Sequence, residues 1–189
     1  MAGGGWLDSW VLAGGTGLAL HLGHRYSEDL VFFRGQPFDP AESAQSLSRI
    51  GRVRVQQIAE DTLHLELTGL RVSFLRTQAP LPFPGTSYRR LTVADPRDIA
   101  VMKVIAIGGR GSRKDFIDLF FYIESGGTLA AVLSLVDQRY QEVNFNTYHL
   151  VKSLVYFTDA EEEPIPQIIK PVAWEAVKEL LIAEVRRLS

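Results

Sequence analysis

The sequence predicts an α+β fold, a mixed β-sheet with flanking helices followed by a C-terminal helical region, and three observations carry this prediction. Apolar and polar residues alternate from Arg52 to Leu75, the period of half-buried strands. Beyond Asp95 the apolar spacing changes to three and four, the period of helices that bury one face. Near the start, Trp10 to Phe33 reads as strand, glycine turn, helix, strand.

Each element has a local reason. Trp10 to Ala13 is a short apolar run that ends in Gly14-Gly15; Leu18, Ala19 and Leu22 then follow at helical spacing. Leu30 to Phe33 is the second apolar run, with Asp29 at its mouth. Asp39 and Pro40 are the cap and first position of a short helix through Leu47 and Ile50. Val53, Val55, Leu63, Leu65, Leu67, Val72 and Phe74 are expected on one face of three strands, with turns at Glu60-Asp61 and Thr68-Gly69. Pro80, Pro82, Pro84 and Gly85 make residues 76–91 an irregular connection or a last edge strand. The expected division falls there: a sheet domain over 1–91 and a helical region over 92–189.

In the second part, Asp95-Pro96-Arg97-Asp98 is a helix start with Asp98 as capping-box acid, and Gly108-Gly109 is the expected stop. Ser112 is read as the cap of the next helix, which ends at Gly126-Gly127, and a third begins near Thr128. Residues 140–158, with Tyr140, Phe145, Tyr148, Leu150, Leu154 and Phe157, read as a packed helix. An acidic turn over Asp159–Glu163 and a proline-rich stretch precede a final amphipathic helix, Trp174 to Leu188, with Trp174 in the core.

The 189 residues carry 46% hydrophobic side chains, enough for a real core, and disorder is not indicated. There is no cysteine, which excludes disulfides and thiolate metal sites and fits a reducing cytosol. No apolar run nears the ~20 residues of a membrane span, so no membrane partner is expected and the expected location is cytoplasmic. Met1-Ala2-Gly3-Gly4-Gly5 reads as a flexible start rather than a site. The net charge of −2 hides an asymmetry: residues 1–48 sum to −3, residues 49–114 to +7 and residues 115–189 to −6. A phosphate-facing surface and a solvated basic edge strand explain the basic middle equally well.

The chemistry converges on the Trp10–Phe33 stretch. Gly14 and Gly15 let the backbone turn tightly and bring N–H groups up to a ligand. Thr16 is placed to cap the helix behind them, whose start attracts anions such as phosphate. Asp29 arrives from the next strand, where a carboxylate can hold a hard cation such as Mg²⁺. Together these sketch a triphosphate–metal site. It is neither a P-loop, since no Gly-Lys-Ser/Thr follows, nor a dinucleotide fingerprint, since Leu20 stands where the last glycine belongs.

Leu12-Ala13-Gly14-Gly15-Thr16, then Gly23-His24-Arg25, Ser27 and Asp29-Leu30-Val31-Phe32-Phe33, resembles the first motif of the AbiEii/AbiGii-type nucleotidyltransferase toxins. Lys103, Arg110-Gly111 and Lys114-Asp115-Phe116-Ile117-Asp118 resemble that family's Lys-Asp-x-x-Asp signature, in the same order along the chain. The resemblance implies a nucleotidyltransferase-like fold in the superfamily sense. It implies binding of a nucleoside triphosphate with Mg²⁺ and transfer of the nucleoside monophosphate to a hydroxyl of an RNA such as tRNA, or of a protein, with a cognate antitoxin as a further partner. It implies that Asp29 is the metal ligand, that Gly14, Gly15, Thr16, Arg25 and Asp115 contact the nucleotide, and that Lys103, Lys114 and Asp118 order the catalytic centre with Asp29. Members usually carry a further helix before the first strand, so this chain looks shortened at its front edge.

The chain departs from the family at Val31, where members place a second aspartate, and Ser73 stands on the best candidate strand for a third acid. Two-metal phosphoryl transfer needs carboxylates that clamp both ions, and one aspartate is a poor clamp. An active transferase is therefore set against a non-catalytic member that binds a nucleotide or a partner protein. The ordinary alternatives are equally concrete. Gly14-Gly15 is also a plain strand-to-helix turn, Asp29 a strand cap or a partner of Arg25, and Lys114 and Asp118, one turn apart, a surface ion pair. Arg113 is expected to face solvent, Glu28 to be solvated, and His21 and His24 to be structural or surface residues rather than a metal pair. His64 and His149 give no signal.

Overall fold

In the computed structural model, residues 6–77, 79–140 and 146–188 are described. The glycine-rich start and Phe145 lie outside the described residues. The chain forms two compact units, residues 1–17 with 28–95 and residues 18–27 with 96–189.

The first unit is built on a sheet that, among the described residues, has seven strands in the order β3-β4-β5-β2-β1-β7-β6. They are β1 (Val11–Ala13), β2 (Asp29–Arg34), β3 (Val53–Ala59), β4 (Thr62–Leu67), β5 (Leu70–Arg76), β6 (Thr86–Tyr88) and β7 (Leu91–Val93). β2 runs antiparallel to β1 and parallel to β5, and β1 runs parallel to β7, so the sheet is mixed. Period-two alternation puts Leu12, Phe32, Leu63, Leu65, Val72, Phe74 and Val93 into one core, closed by Trp10 and by Ala44 and Leu47 of helix α2 (Pro40–Leu47). Asp39 caps that helix as expected, its carboxylate accepting from the Ala41 and Glu42 amides. Val55 does not join this core: it is exposed, beside a register shift between Val55 and Gln57 that re-aims side chains on the edge strand. The proline-rich connection leads into edge strand β6.

Helix α1 (Gly14–Leu22) follows β1 directly. Because it begins at Gly14, Thr16 lies in its first turn rather than at the cap position. The Thr16 hydroxyl donates instead to the backbone carbonyl of Asp29.

The second unit is helical: α3 (Pro96–Arg110), α4 (Arg113–Glu124), α5 (Leu129–Arg139), α6 (Thr147–Ser153), α7 (Thr158–Glu161) and α8 (Trp174–Arg186). Its core takes Val101, Val104, Phe116, Leu119, Leu129, Val132, Leu150, Trp174, Val177 and Leu181. Helix α3 does not stop at Gly108-Gly109 but runs on to Arg110 and ends at Gly111, whose φ of 55° suits glycine. Gly108 serves packing: a Cβ there would sit 2.4 Å from Leu150 Cδ2, so the Leu150 side chain would have to shift to admit it. Asp98 is fully buried and pairs with Arg139 at the end of α5, a partnership with no local signal.

The single helix expected over 140–158 is a correction. The chain makes α6 and α7 separately: Asn146 caps the start of the first, which ends at Leu154 with its amide on the Leu150 carbonyl, and Phe157 precedes the second. Among the described residues no single helix is long and apolar enough to cross a membrane.

Candidate functional site

In the first unit the glycine turn lies against the strand it was expected to face. Gly14 has φ 64°, which favours glycine, and a Cβ there would lie 3.5 Å from Val31 Cγ2. Ala13 pairs with Val31 across β1 and β2, so the Val31 side chain stands where a second strand carboxylate would face the turn. On the other side, register sets Asp29 beside Arg71 and Val31 beside Ser73 on β5. The Asp29 carboxylate forms an ion pair with Arg71 Nε at 2.8 Å, and Ser73 Oγ shares a 2.7 Å hydrogen bond with His64 Nδ1.

In the second unit the Lys-Asp-x-x-Asp motif closes into a buried ion network. Helical spacing on α4 puts Asp115 and Asp118 on its buried side, and both are fully enclosed. Lys103 of α3, 4% exposed, reaches Asp115 Oδ1 at 2.7 Å and Asp118 Oδ2 at 2.6 Å. Arg25 closes its fork on Asp118, Nε at 2.6 Å and Nη2 at 2.8 Å, and His24 Nε2 meets Oδ1 at 2.7 Å. Arg110 donates to Asp115 Oδ2 at 3.0 Å while its side chain stays 61% exposed. In place of a surface Lys114–Asp118 pair there is a buried cluster centred on Asp118.

Chain geometry explains how His24 and Arg25 arrive there. Gly23, at φ 59°, ends α1 with its amide on the Ala19 carbonyl. The His24 carbonyl then accepts from the Ile169 and Lys170 amides, and the Tyr26 amide donates to Gln167. Burial pushes the Asp118 carboxyl upward most strongly. The Lys103 charge and the hydrogen bonds from His24 and Arg25 together outweigh it and hold the group well below the usual carboxylate range. Asp118 is thus a permanent anion. Lys103, Arg25 and Arg110 set three fixed positive charges against Asp115 and Asp118.

Several side chains escaped sequence reasoning or corrected it. Arg113, expected in solvent, is buried: Nε donates to the Ala160 carbonyl at 2.7 Å and the guanidinium lies over Trp174 at 5.0 Å. Its charge is stabilised by carbonyls and a ring face, which local polarity does not reveal. Ser112 precedes α4, but its hydroxyl donates to Glu163 Oε2 at 2.7 Å, and that same oxygen accepts from the Arg113 amide at 2.8 Å. Glu163 is the working cap. Its replacement by Ala is expected to cost about 1–2 kcal/mol in urea unfolding, the scale of a lost helix cap. His24 was legible only as the neighbour of Arg25 in Gly23-His24-Arg25; Arg71 had no signal beyond its place in an alternating strand.

Comparison with known proteins agrees with this fold. The chain is 38% identical over 184 residues to an uncharacterized protein of Aquifex aeolicus (strain VF5), aq_aa25, spanning 95% of this chain and 87% of that protein. A solved putative nucleotidyltransferase from H. pylori is similar in fold, with a TM-score of 0.52 at 16% identity, covering 96% of this chain and 89% of that one. MenT4, the nucleotidyltransferase toxin Rv2826c of Mycobacterium tuberculosis H37Rv, is similar with a TM-score of 0.52 at 18% identity, covering 96% and 77%. The family described as Nucleotidyl transferase AbiEii toxin, Type IV TA system, matches residues 2–187. A mixed sheet opened by a glycine turn, helices carrying Lys-Asp-x-x-Asp, and a match over nearly the whole length place this chain in the AbiEii nucleotidyltransferase toxin family.

Proposed function

We propose that this chain binds a nucleoside triphosphate and that its natural sequence does not transfer the nucleotide. The observation that carries the reading is the chemistry of strand β2: Asp29 is paired with Arg71, and the positions that would complete a clamp are Val31 and Ser73. The family generally uses a divalent metal, and the Mg²⁺ expected at Asp29 requires oxygen donors around it. Among the described residues no group of three or more His, Asp or Glu side chains is placed to hold a metal ion. The donor set does not fit a two-ion clamp, so no catalytic step is routed through one.

Triphosphate binding is supported by the chain's own groups. Gly14 and Gly15 expose backbone amides at the start of α1, and Thr16 stands in its first turn. In the second unit, taken by itself, Lys103, Arg25 and Arg110 exceed Asp115 and Asp118 by one positive charge, and Arg110 is the exposed cation of the three. In this reading Asp118 and Asp115 act by holding Lys103, Arg25 and Arg110 in place. Lys114, at the start of α4, belongs to the same cationic motif. A cognate antitoxin is the protein partner implied by a toxin–antitoxin family.

The second reading is an active transferase that moves a nucleoside monophosphate onto a hydroxyl of RNA, such as tRNA, or of a protein, releasing pyrophosphate. The closed network around Asp118 favours it. Incubation with labelled triphosphates, Mg²⁺ and total RNA, for the natural chain and for Val31→Asp, decides between them. No label transfer by the natural chain is expected; transfer gained by Val31→Asp would trace the loss to that one position. Transfer by the natural chain overturns the non-transferring reading.

A further inference from the structure

We propose that Arg71 is the resident counter-charge of the strand site, so that Asp29 takes up no divalent cation and triphosphate is bound without one. The second half rests on the triphosphate-binding reading; the first does not.

The register of β2 and β5 sets Arg71 directly beside Asp29, and its Nε lies 2.8 Å from the carboxylate. Arg71 Nη2 lies 3.7 Å from the carboxylate of exposed Glu28, and Glu66 of β4 is the Arg71 register partner on the other side. The guanidinium thus sits among the acidic side chains of this face, in the electrostatic place of a bound cation. A guanidinium cannot be deprotonated at any working pH, so Arg71 carries its positive charge beside Asp29 throughout.

A divalent ion would have to displace this partner and then find further oxygen ligands. Mg²⁺ gives up water only for a nearly octahedral set of hard donors. Two residues beyond Asp29, on the same face, Val31 presents methyl groups. The hydroxyl next to it in register, on Ser73, is hydrogen-bonded to His64. The strand therefore offers one carboxylate, already matched by a cation that the chain itself supplies.

The test is a titration with Mn²⁺ alone, reading the free-ion signal by electron paramagnetic resonance. The natural chain is expected to show no saturable uptake, and the double variant Val31→Asp/Arg71→Ala to bind Mn²⁺ at least about tenfold more tightly. Saturable uptake by the natural chain that Asp29→Asn removes overturns the proposal; so does a folded double variant that gains nothing. If the double variant does not fold, calorimetry of the natural chain with each nucleoside triphosphate, in EDTA and in Mg²⁺, decides. Affinities within about threefold of each other support the proposal, whereas a dependence on Mg²⁺ above about tenfold that Asp29→Asn abolishes overturns it. Absence of triphosphate binding in both buffers overturns the binding reading instead, and Mn²⁺ uptake by the natural chain still settles the first half.

Discussion

Asp118→Asn is expected to destabilise the protein by about 3–5 kcal/mol, the cost of breaking a buried ion pair by removing one partner. The carboxylate is fully buried and touches Lys103, Arg25 and His24. The amide keeps the shape but can satisfy neither Lys103 nor the Arg25 fork as an anion, so two positive charges stay buried with Asp115 as their remaining carboxylate in the network. The pH dependence separates this from a packing loss. The folded-state pKa of Asp118 is depressed, so its stabilisation is fully present above the ordinary value of 3.8 and is lost as pH falls below that. Urea unfolding should show the full deficit near neutrality. The gap between the natural chain and the variant should narrow below about pH 4. A gap independent of pH would assign the loss to geometry rather than charge.

Phe74→Ala is expected to cost a similar amount, about 3–5 kcal/mol, with no such pH dependence. Phe74 is 2% exposed at the centre of the sheet core. Its ring stacks on Phe32 at 5.3 Å and meets Trp6 and Trp10 edge-on, each at 4.9 Å. These rings come from β2, β5 and the turn before β1, so the space left by deletion cannot close by moving one side chain. Near-ultraviolet circular dichroism should lose intensity along with thermal stability. Retained intensity with unchanged stability would mean that the cluster repacks.

Regular elements were legible where one face alone decides the pattern. β1 and β2 fall on the two apolar runs, β4 and β5 fall where alternation puts them, α2 begins behind its cap Asp39, and α5 begins beside Thr128. Edges were less so, because an edge strand answers to solvent on both faces; Val55 alternates correctly and is still exposed. Glycines misled where they serve close approach instead of termination, as Gly108 does beneath Leu150.

The candidate site was half legible. Motif spacing gathered Lys103, Asp115 and Asp118, and physical reasoning singled out Gly14 and Asp29. What spacing cannot encode is which charged group finds which. Arg25 meets Asp118, Arg71 meets Asp29 and Glu163 caps α4, and each pairing joins residues far apart in sequence. A residue type announces the charge it carries; the topology assigns the partner.

The chain passes from one unit to the other three times, at residues 17–18, 27–28 and 95–96. Neither half is therefore a contiguous fragment. During synthesis β1 must wait for β7 to emerge before that parallel pairing forms, and Arg25 waits for Asp118, 93 residues later. Long loops close late and leave apolar surface waiting, so folding should be slow for a chain of this length and sensitive to truncation. A nick anywhere between β7 and α3 would leave the helical piece without His24 and Arg25, its own two clamps, and a genetic split at that point would yield no independently folded half.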